Sequence, residues 1–73
     1  MSGEYYYDAS SVRAIREDLG LSVNDVANST YLGESAIRRA EDHRQANPQA
    51  STLLQLANRY HVNPGKFFDQ YPV

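Results

Sequence analysis

Leu21-Ser22-Val23-Asn24-Asp25-Val26-Ala27 and Leu32-Gly33-Glu34-Ser35-Ala36-Ile37-Arg38-Arg39-Ala40-Glu41 are the segments on which the reading of this chain turns. Each opens like a short helix. Ser22 can cap the first by accepting from the third residue beyond it, and Asp25 puts a carboxylate in the positive first turn. Val26 and Ala27 then face inward, which predicts a helix over 23–29. Thr30-Tyr31-Leu32-Gly33 is a short break. Ile37 and Ala40 resume an apolar face and predict a helix over 34–42, whose outward positions are Glu34, Ser35, Arg38, Arg39 and Asp42.

Upstream, Val12, Ile15 and Leu19 recur at helical spacing, Ser10 or Ser11 can cap, and Gly20 stands where a left-handed residue ends a helix, which predicts a helix over 11–19. Tyr5, Tyr6 and Tyr7 have no helical spacing, so 1–9 reads as an extended tyrosine-rich arm. Downstream, Asn47-Pro48 marks a loop, because the residue before proline avoids helical geometry. Leu53, Leu54, Leu56, Ala57 and Tyr60 form the broadest apolar stripe and predict a helix over 50–60. Asn63-Pro64, a cap followed by proline at the first helical position, begins a short fifth helix carrying Phe67 and Phe68. With no period-two alternation, the expected fold is all-α: a compact five-helix domain over 10–70 and a tail over 71–73. Val26, Ala27, Ile37, Leu53, Leu56 and Ala57 are its expected core.

Seventy-three residues make one domain with a thin core. The absence of cysteine removes disulfides, thiolate chemistry and cysteine-held metals, and two histidines cannot restore a metal site. No serine, histidine and carboxylate grouping or glycine-rich phosphate loop can be assembled, so neither catalysis nor a cofactor is expected. His43 and His61 stand alone. The amino end lacks a basic, then apolar, leader and no run is long enough to span a bilayer, which gives the expectation of a soluble cytoplasmic protein. Net charge is −2, against the basic footprint usual in nucleic-acid binders, yet Arg38, Arg39 and Arg44 cluster mid-chain while acids weight the first third.

Two short helices across a tight turn, between a first helix and an apolar fourth, are the layout of a helix-turn-helix domain. From Val12 to Phe68 the chain resembles the lambda-repressor-like (Cro/C1-type) helix-turn-helix family. The two segments quoted above carry the resemblance, with Leu53-Leu54-Gln55-Leu56-Ala57, His61-Val62-Asn63-Pro64 and Phe67-Phe68 in the order and spacing of that family's fourth and fifth helices. It implies a small sequence-specific regulator, of the size of phage Cro-like proteins, that binds a double-stranded DNA operator as a homodimer and represses by promoter occlusion. It implies that the third helix is the recognition helix. Glu34, Ser35, Arg38, Arg39 and Asp42 would then face DNA, with Arg44 and Asn47 beyond, and Glu41 would hold the following loop. Arg13, Arg16, Gln45 and Gln49 could also reach flanking phosphates.

The sequence departs from the family where relatives carry glutamine at the start of the second helix and glutamine or arginine at the start of the third; here stand Val23 and Glu34. Valine donates no side-chain hydrogen bond, and a groove-facing carboxylate is repelled by phosphate unless it accepts from cytosine N4. Tyr31 replaces the glycine usual in the turn, as a strained turn residue or an aromatic contact. These departures, with the acidic balance, favour a second reading: a protein-interaction module such as an antirepressor or antitoxin that binds another regulator. Tyr5, Tyr6, Tyr7, Phe67, Phe68 and Tyr71 are surplus aromatics that suit a dimer or a partner interface equally.

Overall fold

The structure, a computed structural model, describes residues 4–44 and 48–71. The described residues are mostly helical and form four α-helices and a small two-stranded sheet. In chain order the elements are β1 (Tyr5–Tyr7), α1 (Ala9–Asp18), α2 (Val23–Asn28), α3 (Glu34–Ala40), α4 (Ala50–Tyr60), a 3-10 turn (Pro64–Phe67) and β2 (Phe68–Gln70).

Local chemistry sets most of the boundaries. The Asp8 carboxylate caps α1, accepting from the Ser10 backbone N–H at 3.1 Å and from the Ser11 hydroxyl at 2.8 Å. Ser10 and Ser11, the expected caps, are therefore donors to the cap. Gly20, at φ 71°, ends the helix in the left-handed region as expected. At α2 the expected cap forms reciprocally: the Asp25 N–H donates to Ser22 Oγ at 3.0 Å and the Ser22 N–H donates to the Asp25 carboxylate at 2.8 Å. The left-handed residue after α4 is His61, at φ 57°.

One core joins the helices. Val12, Val26, Ile37, Ala40, Leu53, Leu56, Ala57, Tyr60 and Phe67 are buried together. Of the expected core, Ala27 sits at the margin, half-buried against this cluster, while Ala40 takes a fully interior place. Val23 also packs on the cluster, which gives the residue at the head of α2 a packing role. Leu19, expected on an inward face, lies beyond the end of α1 and is half-exposed.

The expectation of an all-α, five-helix chain needs correction, because the extended amino-terminal segment is a strand of a small sheet. Residues 5–7 pair antiparallel with 68–70, with Tyr5 opposite Gln70, Tyr6 opposite Asp69 and Tyr7 opposite Phe68. The Asp8 N–H donates to the Phe67 carbonyl at 2.8 Å and the Tyr71 N–H to the Glu4 carbonyl at 3.2 Å, so the pairing extends past both ends of the strands. The expected fifth helix is one 3-10 turn. Asn63 caps it through Gly65, and the chain must extend at Phe68 to meet β1. A two-stranded ribbon is marginal alone. This one is held because Tyr7 packs against the core and Phe67, at its base, lies fully inside it.

Candidate functional site

α2 and α3 pack together through Val26 and Ile37, both fully buried, so the opposite side of α3 is left to face outward. Ser35, Arg38 and Arg39 are exposed there, while Glu34 and Asp42 at either end are partly covered. Glu34, Ser35, Arg38 and Arg39 lie where the helical spacing predicts, but α3 ends at Ala40, short of the expected 42, so Asp42 stands beyond the helix. Asn47 lies outside the described residues.

The charges on this face are organised. Arg38 pairs with Glu34 one turn back at 2.9 Å, and Glu34 also accepts from the Asn24 amide of α2 at 2.8 Å. These two bonds, the Asn24 amide first, hold the Glu34 carboxyl below its ordinary pKa, so it stays ionised at neutral pH. Asp42 accepts from the Arg44 backbone N–H at 2.9 Å and from the guanidinium at 2.9 and 3.0 Å, which lowers its pKa to about 2. Asp42, beyond the end of α3, pairs with Arg44, while Arg38 pairs with Glu34. Arg39 is exposed and has no ion pair with any described residue.

The carboxyl end of α3 is tied at two points. The Tyr7 hydroxyl donates to the Ala40 carbonyl, satisfying one of the carbonyls a helix end leaves without a partner. Glu41 accepts from Arg16 Nε at 2.7 Å and Nη2 at 3.0 Å, and Arg16 Nη1 donates to the Leu21 carbonyl at 2.8 Å. Their side chains are only 11% and 8% exposed. Arg16 is thus committed to the interior and does not serve as a phosphate contact. Glu41 is structural, as the resemblance implies, but it grips α1. Arg13 pairs with Glu17 along α1, and Gln49 precedes α4 in an exposed position.

The aromatic set divides. Tyr5, Phe68 and Tyr71 are exposed on the ribbon. Tyr6 packs on Tyr71 with ring centres 4.8 Å apart, and Tyr7 meets the edge of Phe68 at 5.7 Å. Phe67 is fully buried and drops out of any interface, because its side chain fills the core under the ribbon. Tyr31 has no left-handed backbone; its ring stands 99% exposed, so of the two readings the strained turn residue is excluded.

Asn24 and Tyr7 were missed as supports of this face. Helical spacing relates residues within one element, and both act across elements. No family model matches the chain, nor does any curated protein or solved structure.

Proposed function

We propose that this protein is a small, non-catalytic DNA-binding regulator in which α2 and α3 act as a helix-turn-helix and α3 is laid into the major groove. The observation that carries this reading is the outward face of α3, where Ser35, Arg38 and Arg39 project from a helix locked by Ile37 and Ala40. An arginine on such a face donates in pairs to guanine O6 and N7 or to phosphate. On this reading the protein works in the cytoplasm as a Cro-like repressor on a two-fold operator, which requires two recognition helices about 34 Å apart and hence a homodimer. Tyr5, Phe68 and Tyr71 on the ribbon are its proposed contacts.

A second reading is favoured by Glu34: it occupies Arg38 and keeps a negative charge at the amino end of α3. The helix pair would then serve as a protein-interaction module, an antirepressor or antitoxin that captures another regulator. Fluorescence anisotropy on duplex DNA flanking the protein's own gene, at two salt concentrations, separates the two. DNA binding predicts an affinity that falls with salt, with a log–log slope of about −0.9 for each phosphate neutralised. A slope near zero favours the interaction module.

A further inference from the structure

Between the turn joining α2 to α3 and the last turns of α4 lies a cleft of about 400 Å³, within the range that holds a small molecule. Ser29 and Tyr31 form one wall and Gln55, Asn58, Arg59 and His61 the other. Its polar groups are set to donate. Arg59 uses only Nε, which donates to Ser29 Oγ at 2.6 Å, and its terminal nitrogens have no partner among the described residues. The Gln55 carbonyl oxygen is occupied by the Tyr31 backbone N–H at 3.0 Å, which leaves the amide NH2 to donate into the cleft. The Asn58 side chain has no partner among the described residues. No carboxylate lines the walls; Asp25, whose charge Arg59 feels, is held by the Ser22 backbone N–H at 2.8 Å.

The other feature is apolar. Tyr31 keeps a flat ring in water at 99% exposure, with no ring contact to any described residue and no left-handed backbone to explain it. A cation flanked by unused amide donors beside an unpartnered ring matches a ligand with an anionic group and a planar body. We propose that this cleft binds a small planar organic anion, an aromatic carboxylate or phosphate ester, with its ring stacked on Tyr31 and its oxygens held by Arg59, Gln55 and Asn58. Such a ligand would bridge the α2–α3 turn and α4. The inference does not depend on what α3 binds.

The test is an NMR titration of the 15N-labelled full chain with phenyl phosphate, benzoate, inorganic phosphate and neutral benzamide at millimolar concentrations. The two aromatic anions should produce saturable shifts at the Tyr31 N–H and at the Gln55 and Asn58 side-chain amides, and which of them binds tighter identifies the head group. Inorganic phosphate and benzamide should bind about tenfold more weakly, since each lacks one of the two recognised features. Arg59→Gln and Tyr31→Ala should each weaken binding by about tenfold. Tyr31→Ala decides the matter if Arg59→Gln disturbs the Ser29 contact, because the tyrosine ring packs on nothing that the fold needs. The proposal is overturned if neither aromatic anion saturates these resonances, if inorganic phosphate binds as tightly as they do, or if Tyr31→Ala binds like the parent.

Discussion

Arg16 on α1 and Glu41 at the end of α3 form a two-pronged ion pair, at 2.7 and 3.0 Å, almost entirely out of water. It fixes where α3 ends relative to α1, and with the Tyr7 hydroxyl on the Ala40 carbonyl it sets the pose of the outward face. The energetic asymmetry of such pairs matters: breaking one partner strands a charge, whereas replacing both can be nearly neutral.

Arg16→Met should therefore destabilise the protein by about 3 kcal/mol, because Glu41 and the Leu21 carbonyl both lose their donors. Arg16→Met with Glu41→Leu should recover most of that loss. Urea denaturation of the single and double variants checks both, and a single variant as stable as the parent would remove the pair from the list of structural supports.

Half-buried Tyr7 and buried Tyr60 should respond differently to loss of their hydroxyls. Tyr7→Phe removes the donor to the Ala40 carbonyl and should cost about 1 kcal/mol. Tyr60 buries its hydroxyl with no partner among the described residues, so Tyr60→Phe should be neutral or stabilising by up to about 1 kcal/mol. Thermal melts of the two variants measure the difference in sign.

The same phenols make stability fall at high pH. Burial first, then the Glu41 charge, pushes Tyr60 up to about 12 and raises Tyr7 as well. A phenol that holds its proton longer in the folded state contributes stability below its unfolded pKa, near 10, and loses it as pH rises toward the folded value. Stability should thus decline between about pH 10 and 12. The decline should be shallower in Tyr60→Phe, and an equal slope in parent and variant would contradict the assignment.

His61 accepts a left-handed backbone at φ 57° to end α4. Glycine reaches that region without the clash of a Cβ, so His61→Gly should stabilise by about 1 kcal/mol. A lower melting temperature would show that the histidine side chain makes a compensating contact.

For DNA binding, Arg39→Ala and Arg38→Ala should each lose about 1 to 3 kcal/mol of operator affinity. Glu34→Gln should raise nonspecific affinity on the DNA-binding reading, since it removes a carboxylate from the amino end of α3 and loosens its hold on Arg38. Anisotropy titrations on operator and unrelated duplexes measure all three. If none changes while Arg38→Ala weakens capture of a protein partner, the interaction reading replaces the repressor reading.

The four helices were legible in the sequence because their determinants are local. Ser22 and Asp25 cap within one turn, Gly20 terminates α1, and the α4 stripe repeats at helical period, so each signal sits inside the element it builds. The outward positions of α3 followed from the same periodicity. What lay beyond it was every pairing across the chain. Three-residue strands carry no period that alternation could reveal, and Tyr6 and Asp69, which face each other in the ribbon, are 63 positions apart. Adjacent phenylalanines look alike in sequence, but only the turn at Pro64–Phe67 sends Phe67 into the core and leaves Phe68 outside. Arg16 and Glu41 are separated by 25 positions, so the sequence offers Arg16 as a phosphate contact and Glu41 as a support of the next loop, and only the meeting of their side chains pairs them. The sequence by itself determined the helices and their apolar faces, because those depend on neighbours within a turn. Only the tertiary structure decided the ribbon, the buried ion pair and the cleft beside Tyr31, because each is made by groups that the chain brings together from separate elements.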